Sequence, residues 1–198
     1  MTPAIVLAAG ASTRMGRPKA LLRAGDRTFI HRILGTLREG GVSDVVVVVR
    51  PGHDAVIAEV DASGFGRAVP NVRADEGQLS SLIAGLDAID QPLVVAALVT
   101  LVDVPFIAAS TIRLLLARAA VCAAPIVRAV HRGRHGHPVI FKRDLFEALR
   151  QADPGVGAKA VVRAAGVEDV EVDDPFVVED VDTPEDYERI QWRLRMSH

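Results

Sequence analysis

Short runs of β-branched residues alternate along the chain with stretches whose apolar positions recur every three or four residues. Ile5 to Ala8 is an unbroken apolar run of strand length. Phe29, Ile30, Ile33, Leu34 and Leu37 then share one helical face, which Gly40 and Gly41 bring to an end. Val45 to Val49 is apolar throughout, as a strand covered on both faces must be. Arg50-Pro51-Gly52 breaks it, and a helix over about His53 to Val60 follows. Ala68 to Val72 reads as a short strand. Leu79, Leu82, Ile83, Leu86 and Ile89 place a helix from near Gln78, with Ser80 and Ser81 off its core side. Leu93 to Leu101 is the expected central strand, and Ile112, Leu115 and Leu116 mark a helix that Ser110 and Thr111 are placed to start. Strands are expected at Ala123 to Val127, Val139 to Phe141 and Val167 to Val172, and helices at Leu145 to Leu149 and from Pro184. This alternation builds βαβ units. The predicted fold is one α/β domain over 1–198, a Rossmann-like three-layer sandwich on a mixed, mainly parallel sheet. Val130 to His137 is Gly-rich, basic and without hydrophobic period, and is expected to be a mobile loop.

Composition narrows the function. The 198 residues are 49% hydrophobic but only 4% aromatic, so Ala and Val fill the core, and 24% are charged. A formal net charge of -2, with Arg interleaved among acids, gives no footprint for nucleic acid. One cysteine, Cys122, excludes an internal disulfide and sits in an apolar run that favours a buried thiol. The run Leu93 to Val102 is about half the length a membrane span needs. With no basic region ahead of Ile5, the expectation is a cytoplasmic protein that does not engage a membrane.

The strongest chemical signal follows the first strand: Leu7-Ala8-Ala9-Gly10-Ala11-Ser12-Thr13-Arg14-Met15-Gly16-Arg17-Pro18-Lys19. Small residues let the backbone approach a ligand, and Ser12, Thr13 and successive amides can wrap phosphate oxygens. Arg14 and Lys19 add two cations suited to a triphosphate. No Gly-Lys-Ser/Thr ending makes this a Walker loop, and the glycines at 10 and 16 do not give a dinucleotide fingerprint. The whole segment resembles the signature of the MobA-like NTP transferases, most closely the molybdenum cofactor cytidylyltransferases (MocA type).

Further segments carry chemistry, and each is similar to a part of that family's pattern. Glu76-Gly77-Gln78-Leu79-Ser80-Ser81-Leu82 opens a helix with free amides and resembles the family's Gly-x-Ser-Ser-Leu near the nucleotide, with Gln78 where Met is commoner. Asp103, in Leu101-Val102-Asp103-Val104-Pro105, ends the central strand, where open α/β sheets bind ligands and where a carboxylate can hold Mg²⁺ against phosphate. It matches the family's metal-binding Asp-x-Pro. His131, His135 and His137 lie among Arg132 and Arg134, which disfavours zinc. Gly133 to Pro138 is instead similar to the family's Gly-x-x-Gly-His-Pro, implying that His137 and Pro138 meet the acceptor. Asp153 to Lys159 is a turn into a helix, and departs from the family by Asp153-Pro154 where Gly-Asp is usual. In Glu179-Asp180-Val181-Asp182-Thr183-Pro184-Glu185-Asp186, Thr183, Pro184 and Asp186 suit a helix N-terminus. Asp180 and Asp182 are left over, and two carboxylates pointing the same way call for a cation.

The resemblance implies a nucleotidyltransferase of the nucleotide-diphospho-sugar transferase-like fold. Its expected substrates are CTP and a molybdopterin-type phosphorylated cofactor, with a molybdoenzyme as possible client. Leu7, Ala8, Ala9, Gly10, Ser12, Arg14, Gly16, Lys19, Gly77 and Ser81 would bind nucleotide, Lys19 and Arg14 would serve catalysis with Asp103, and Asp103 with Asp182 and Asp180 would hold Mg²⁺. The family's Ala-Ala-Gly version of the opening loop accompanies CTP. A sister enzyme acting on a sugar or polyol phosphate, and a non-catalytic nucleotide- or cofactor-binding accessory protein, are the alternatives; a dehydrogenase lacks its fingerprint.

Overall fold

The structure is a computed structural model and describes residues 1–196. Its main sheet has seven strands in the order β5-β4-β1-β6-β8-β7-β9. These are β1 (Ala4–Ala8), β4 (Val45–Val49), β5 (Arg67–Pro70), β6 (Ala96–Leu101), β7 (Ile126–His131), β8 (Arg134–Lys142) and β9 (Val167–Glu171). β1 runs parallel to β4 and β6, β4 to β5, and β7 to β9, while β8 runs antiparallel to both β6 and β7. A separate two-residue hairpin joins β2 (Arg23–Ala24) to β3 (Arg27–Thr28).

Alternation along β1 decides how the layers are filled. Ala4, Val6 and Ala8 face a core with helices α1 (Phe29–Glu39), α2 (Asp54–Ala62) and α4 (Ala109–Val121). Ile5, Leu7 and Ala9 face the other core, under α3 (Gln78–Ile89), α5 (Phe146–Arg150) and α6 (Lys159–Ala164). All five residues of both β1 and β4 are buried, so helices cover the parallel half on both sides. The last helix, α7 (Pro184–Met196), adds Ile190 to a third cluster with Leu22, Ala24, Phe29 and Val181. The chain runs outward from β1 to β4 and β5, then returns to β6 on the other side of β1. The carboxyl ends of β1 and β6 therefore flank the point where strand order reverses, the usual ligand crevice of an open α/β sheet.

Several expectations are corrected. Val130 to His137 is the end and turn of the β7–β8 hairpin, not a mobile loop. Its polar composition hid a strand because His131 is anchored by a side-chain bond, Nδ1 2.8 Å from the Val172 carbonyl, instead of by apolar contact. The central strand begins at Ala96, not Leu93, since a turn closed by Val94 N to Gln91 O precedes it and Leu93 is exposed. β7 starts at Ile126 and runs on to His131, later than the expected Ala123 to Val127. α4 is not started by its own hydroxyls: the Asp174 carboxylate accepts from Ala108 N and from Thr111 Oγ1. Ser80 and Ser81 are buried, each accepting a hydrogen bond from the Asn71 amide. Cys122 is half-buried, with its thiol near the Ala124 carbonyl.

Candidate active site

Two turns shape the loop after β1. Ser12 takes a left-handed conformation (φ 50°), followed by a 3-10 turn at Thr13–Met15 that Gly16 closes at φ 65°. Ser12 Oγ then accepts from the Lys19 amide at 3.2 Å, which ties the two ends of the loop together. Lys19 follows Pro18 and opens a second 3-10 turn, Lys19–Leu21, and its side chain reaches Asp103 just past the end of β6. Gly77 stands at φ 99°, ψ -175° ahead of α3, a conformation that a side-chain-bearing residue rarely adopts.

Lys19 Nζ lies 3.1 Å from Asp103 Oδ2 and also bonds the Asp182 carboxylate. Arg14 approaches Asp182 Oδ2 at 3.6 Å. The two acidic segments are joined through backbone as well, since Val181 N donates to the Asp103 carbonyl at 2.9 Å. Asp182 is held from the other side: Asp186 Oδ2 accepts from Asp182 N, Thr183 N and Thr183 Oγ1, while Thr183 Oγ1 accepts from Asp186 N. This is a capping box with Asp in the acid position. Asp103 Oδ1 is buried and has no hydrogen-bond partner. Burial alone would lower the pKa of Lys19. The bond to Asp182 and the charges of both acids outweigh it and hold the ammonium above its ordinary range.

A cavity of about 550 Å³ opens over this cluster, lined by Leu7, Ala9, Gly10, Ser12, Arg14, Lys19, Gly77, Ser81, Asp103 and Asp182 among others. Two residues expected to bind nucleotide lie outside its lining. Ala8 points into the opposite core, as alternation along β1 requires, and Gly16 serves the turn behind the loop. Asp180 also stands apart. It is exposed and outside the lining, because Val181 is buried in the third cluster and only Asp182, gripped by the capping box, reaches Lys19. Among the described residues no three His, Cys, Asp or Glu side chains gather as a metal cluster. Arg50, read from sequence only as a strand breaker, lines the cavity and donates to Asp75 at 2.8 Å. Its place at the end of β4, next to β1, was the available signal.

A second cavity of about 770 Å³ shares Leu7 and Gln78 with the first. Leu79, Leu82, Val99, Val139 and Phe141 form an apolar wall, and His137, Arg128, Lys159 and Arg163 supply polar groups. Burial pushes the His137 imidazole below its ordinary pKa, against a backbone bond at Val99 and the charges of Asp103 and Asp180, so the ring is neutral near pH 7. Pro138, expected at the acceptor, is buried outside this lining. The histidines do not form one cluster: His131 turns away to Val172, while His135, facing Asp169 at 3.5 Å, and His137 both line the cavity.

The model of the MobA-like NTP transferase domain matches residues 4–172. The chain belongs to that family. Among its relatives is nicotine blue oxidoreductase of Paenarthrobacter nicotinovorans, 33% identical over 195 residues, which are 94% of each protein. The crystal structure of Rv0371c from Mycobacterium tuberculosis superposes with a TM-score of 0.84 at 29% identity, covering 97% of this chain and 98% of that one; that protein also has a manganese complex. CMP:2-keto-3-deoxy-manno-octonic acid synthetase, complexed with CTP, shares the fold at a TM-score of 0.78 and 17% identity, with both chains covered in full. The fold is that of the nucleotide-diphospho-sugar transferases. Among the described residues no helix is long and apolar enough to cross a membrane.

Proposed function

We propose that this chain is a metal-dependent nucleotidyltransferase that moves CMP from CTP to a molybdopterin-type phosphorylated acceptor. The observation that carries the reading is the convergence of Asp103 and Asp182 on one cation beneath the Gly10 to Lys19 loop, at the reversal point of the sheet. The donor set fits Mg²⁺, which takes one or two carboxylates and keeps its other positions for water and substrate phosphates. Asp103 Oδ1, buried without a partner, is an oxygen such an ion would satisfy. Asp103 and Asp182 would hold the ion, which when bound would neutralise triphosphate charge.

The chain's own groups do the positioning. Amides and hydroxyls of the Gly10 to Arg14 loop wrap the phosphates, and Lys19 and Arg14 supply positive charge where it builds at the α-phosphorus. An acceptor phosphate oxygen bonds to that phosphorus as the bond to the β-phosphate oxygen breaks, and pyrophosphate leaves. Such chemistry needs alignment and charge neutralisation more than acid–base help. The acceptor occupies the second cavity, whose apolar wall suits a flat ring system better than a polyol. A second reading draws on the 33%-identical relative named as an oxidoreductase. In it the same cavities would take a redox cofactor and the molecule it reduces or oxidises.

Pyrophosphate release measured with all four NTPs tests the proposal. CTP should outperform GTP by roughly 10- to 100-fold, the worth of one or two altered hydrogen bonds in the base pocket. A GTP preference overturns the base assignment. No release with any NTP, together with oxidation of reduced nicotinamide cofactors, would replace it with the redox reading.

A further inference from the structure

We infer that Lys19 is a place-holder for the metal: in the nucleotide-free protein its ammonium fills the position between Asp103 and Asp182, so a divalent cation binds tightly only after a nucleotide triphosphate has drawn Lys19 away. The inference rests on the metal-dependent reading above and adds a rule for its order of binding.

Charge balance is the first ground. Lys19 and Arg14 face Asp103 and Asp182, two cations against two carboxylates, and the site is neutral as it stands. A divalent ion arriving alone would meet an ammonium already on both carboxylates and would bring uncompensated positive charge. An ion arriving with a triphosphate brings its own counter-charge. Burial sharpens the effect, since only 12% of the Lys19 side chain is exposed and repulsion there is poorly screened.

Reach is the second ground. The Lys19 amide is tied to Ser12 Oγ, and Thr13 and Arg14 of the same loop wall the nucleotide cavity. The four-carbon stem lets the ammonium swing from the acids to phosphate oxygens while the loop stays in place. The main chain of both acids is held, at Asp182 N by Asp186 and at the Asp103 carbonyl by Val181 N, and their side chains are short, so the acids reach less far than Lys19. Departure of Lys19 thus leaves a pair of carboxylates on a held backbone for the metal. Lys19 and the metal take turns between the same two carboxylates.

The probe is Mn²⁺ alone, its binding read from loss of the free-ion EPR signal. Wild-type protein without nucleotide should bind it weakly, and Lys19→Met should bind it about 5- to 150-fold more tightly, the usual range of coupling between two ligands. Lys19→Arg, which keeps the charge, should stay weak. Beyond the Mn²⁺ that CTP alone chelates, CTP should tighten Mn²⁺ binding to wild type, and by a smaller factor to Lys19→Met. Equal Mn²⁺ affinity for nucleotide-free wild type and Lys19→Met, both folded by circular dichroism, overturns the inference. If Lys19→Met does not fold, Lys19→Gln gives the same readout. If neither folds, wild type decides, because Mn²⁺ bound as tightly without CTP as with it overturns the place-holder role. Absence of Mn²⁺ binding in every protein, even with CTP once chelation by CTP alone is subtracted, overturns the metal-dependent reading and this inference with it.

Discussion

The two cavities touch at Leu7 and Gln78 but are built on opposite terms. In the first, every charge at the centre has a partner: Lys19 with Asp103 and Asp182, Arg14 with Asp182, Arg50 with Asp75. Its walls are strand ends and tight turns fixed by backbone bonds. In the second, an apolar wall faces Lys159 and Arg163, which stand exposed on one side of a short helix, while Arg128 is already bound by Asp169. Paired, rigid charge suits a step in which charge must be balanced as bonds change. An apolar wall with exposed cations at its rim suits recognition of an anionic ring-bearing molecule. Under the proposed function the contrast divides a place for chemistry from a place for selection, although the two share Leu7 and Gln78.

The largest expected effect breaks the first cavity alone. Asp103→Asn keeps the shape and removes the charge, so turnover in the pyrophosphate assay should fall by more than the roughly 10- to 100-fold that loss of an outer-shell partner costs. Circular dichroism should be unchanged. Asp182→Asn should follow it, and Asp180→Asn should be much milder, because Asp180 is exposed and outside the cavity. Equal losses at Asp180 and Asp182 would mean that the extended segment rearranges when substrate binds.

A second variant tests how far the two regions are mechanically joined. Gly136 lines the second cavity, and a Cβ there would run into the Val177 carbonyl of the 3-10 turn Pro175–Val178. That turn leads directly to Asp182. Gly136→Ala should therefore destabilise the fold by about 1–3 kcal/mol, as overpacking does, measured by urea unfolding, and should lower turnover as well. Lost stability with unchanged turnover would show that the hairpin does not set the position of Asp182.

Much of this architecture was legible in the sequence, and the illegible parts share a cause. Val45 to Val49 reads directly as a strand because all five side chains are buried, and Phe29 to Leu37 reads as a helix because its apolar face is complete. The capping box at Thr183 and Asp186 is local, so spacing alone finds it. The first half of β8, Arg134 to Pro138, carries no apolar alternation because it forms the hairpin and the cavity edge. Two-residue strands such as Arg23–Ala24 are too short for any period to register. The cap on α4 comes from Asp174, far along the chain, and no local pattern announces it. At the site, the residues with a dense motif were visible as a group, while Arg50, Arg128, Lys159 and Arg163 converge only through the fold. Asp180 and Asp182 look equivalent by spacing, and burial of Val181 together with the capping box makes them different.

The smallest expected effect probes the second cavity and completes the comparison. Lys159 and Arg163 are four residues apart on α6, so their side chains lie on one face, and both line the cavity. Both are exposed, so water and salt screen whatever anion they meet, and each contact is worth only about 0.2–1 kcal/mol. Removing either charge should raise KM for an anionic acceptor by up to about fivefold, by the usual conversion of such energies. Lys159→Ala with Arg163→Ala should combine the two effects, and raising ionic strength should shrink them. KM for CTP should not move, because neither residue lines the first cavity. kcat should hold as well, since a contact made equally in ground state and transition state changes binding without changing turnover. A rise in KM for CTP, or a fall in kcat at saturating acceptor, would show that these cations reach across to the triphosphate. The division between the two cavities would then be one of shape and not of function.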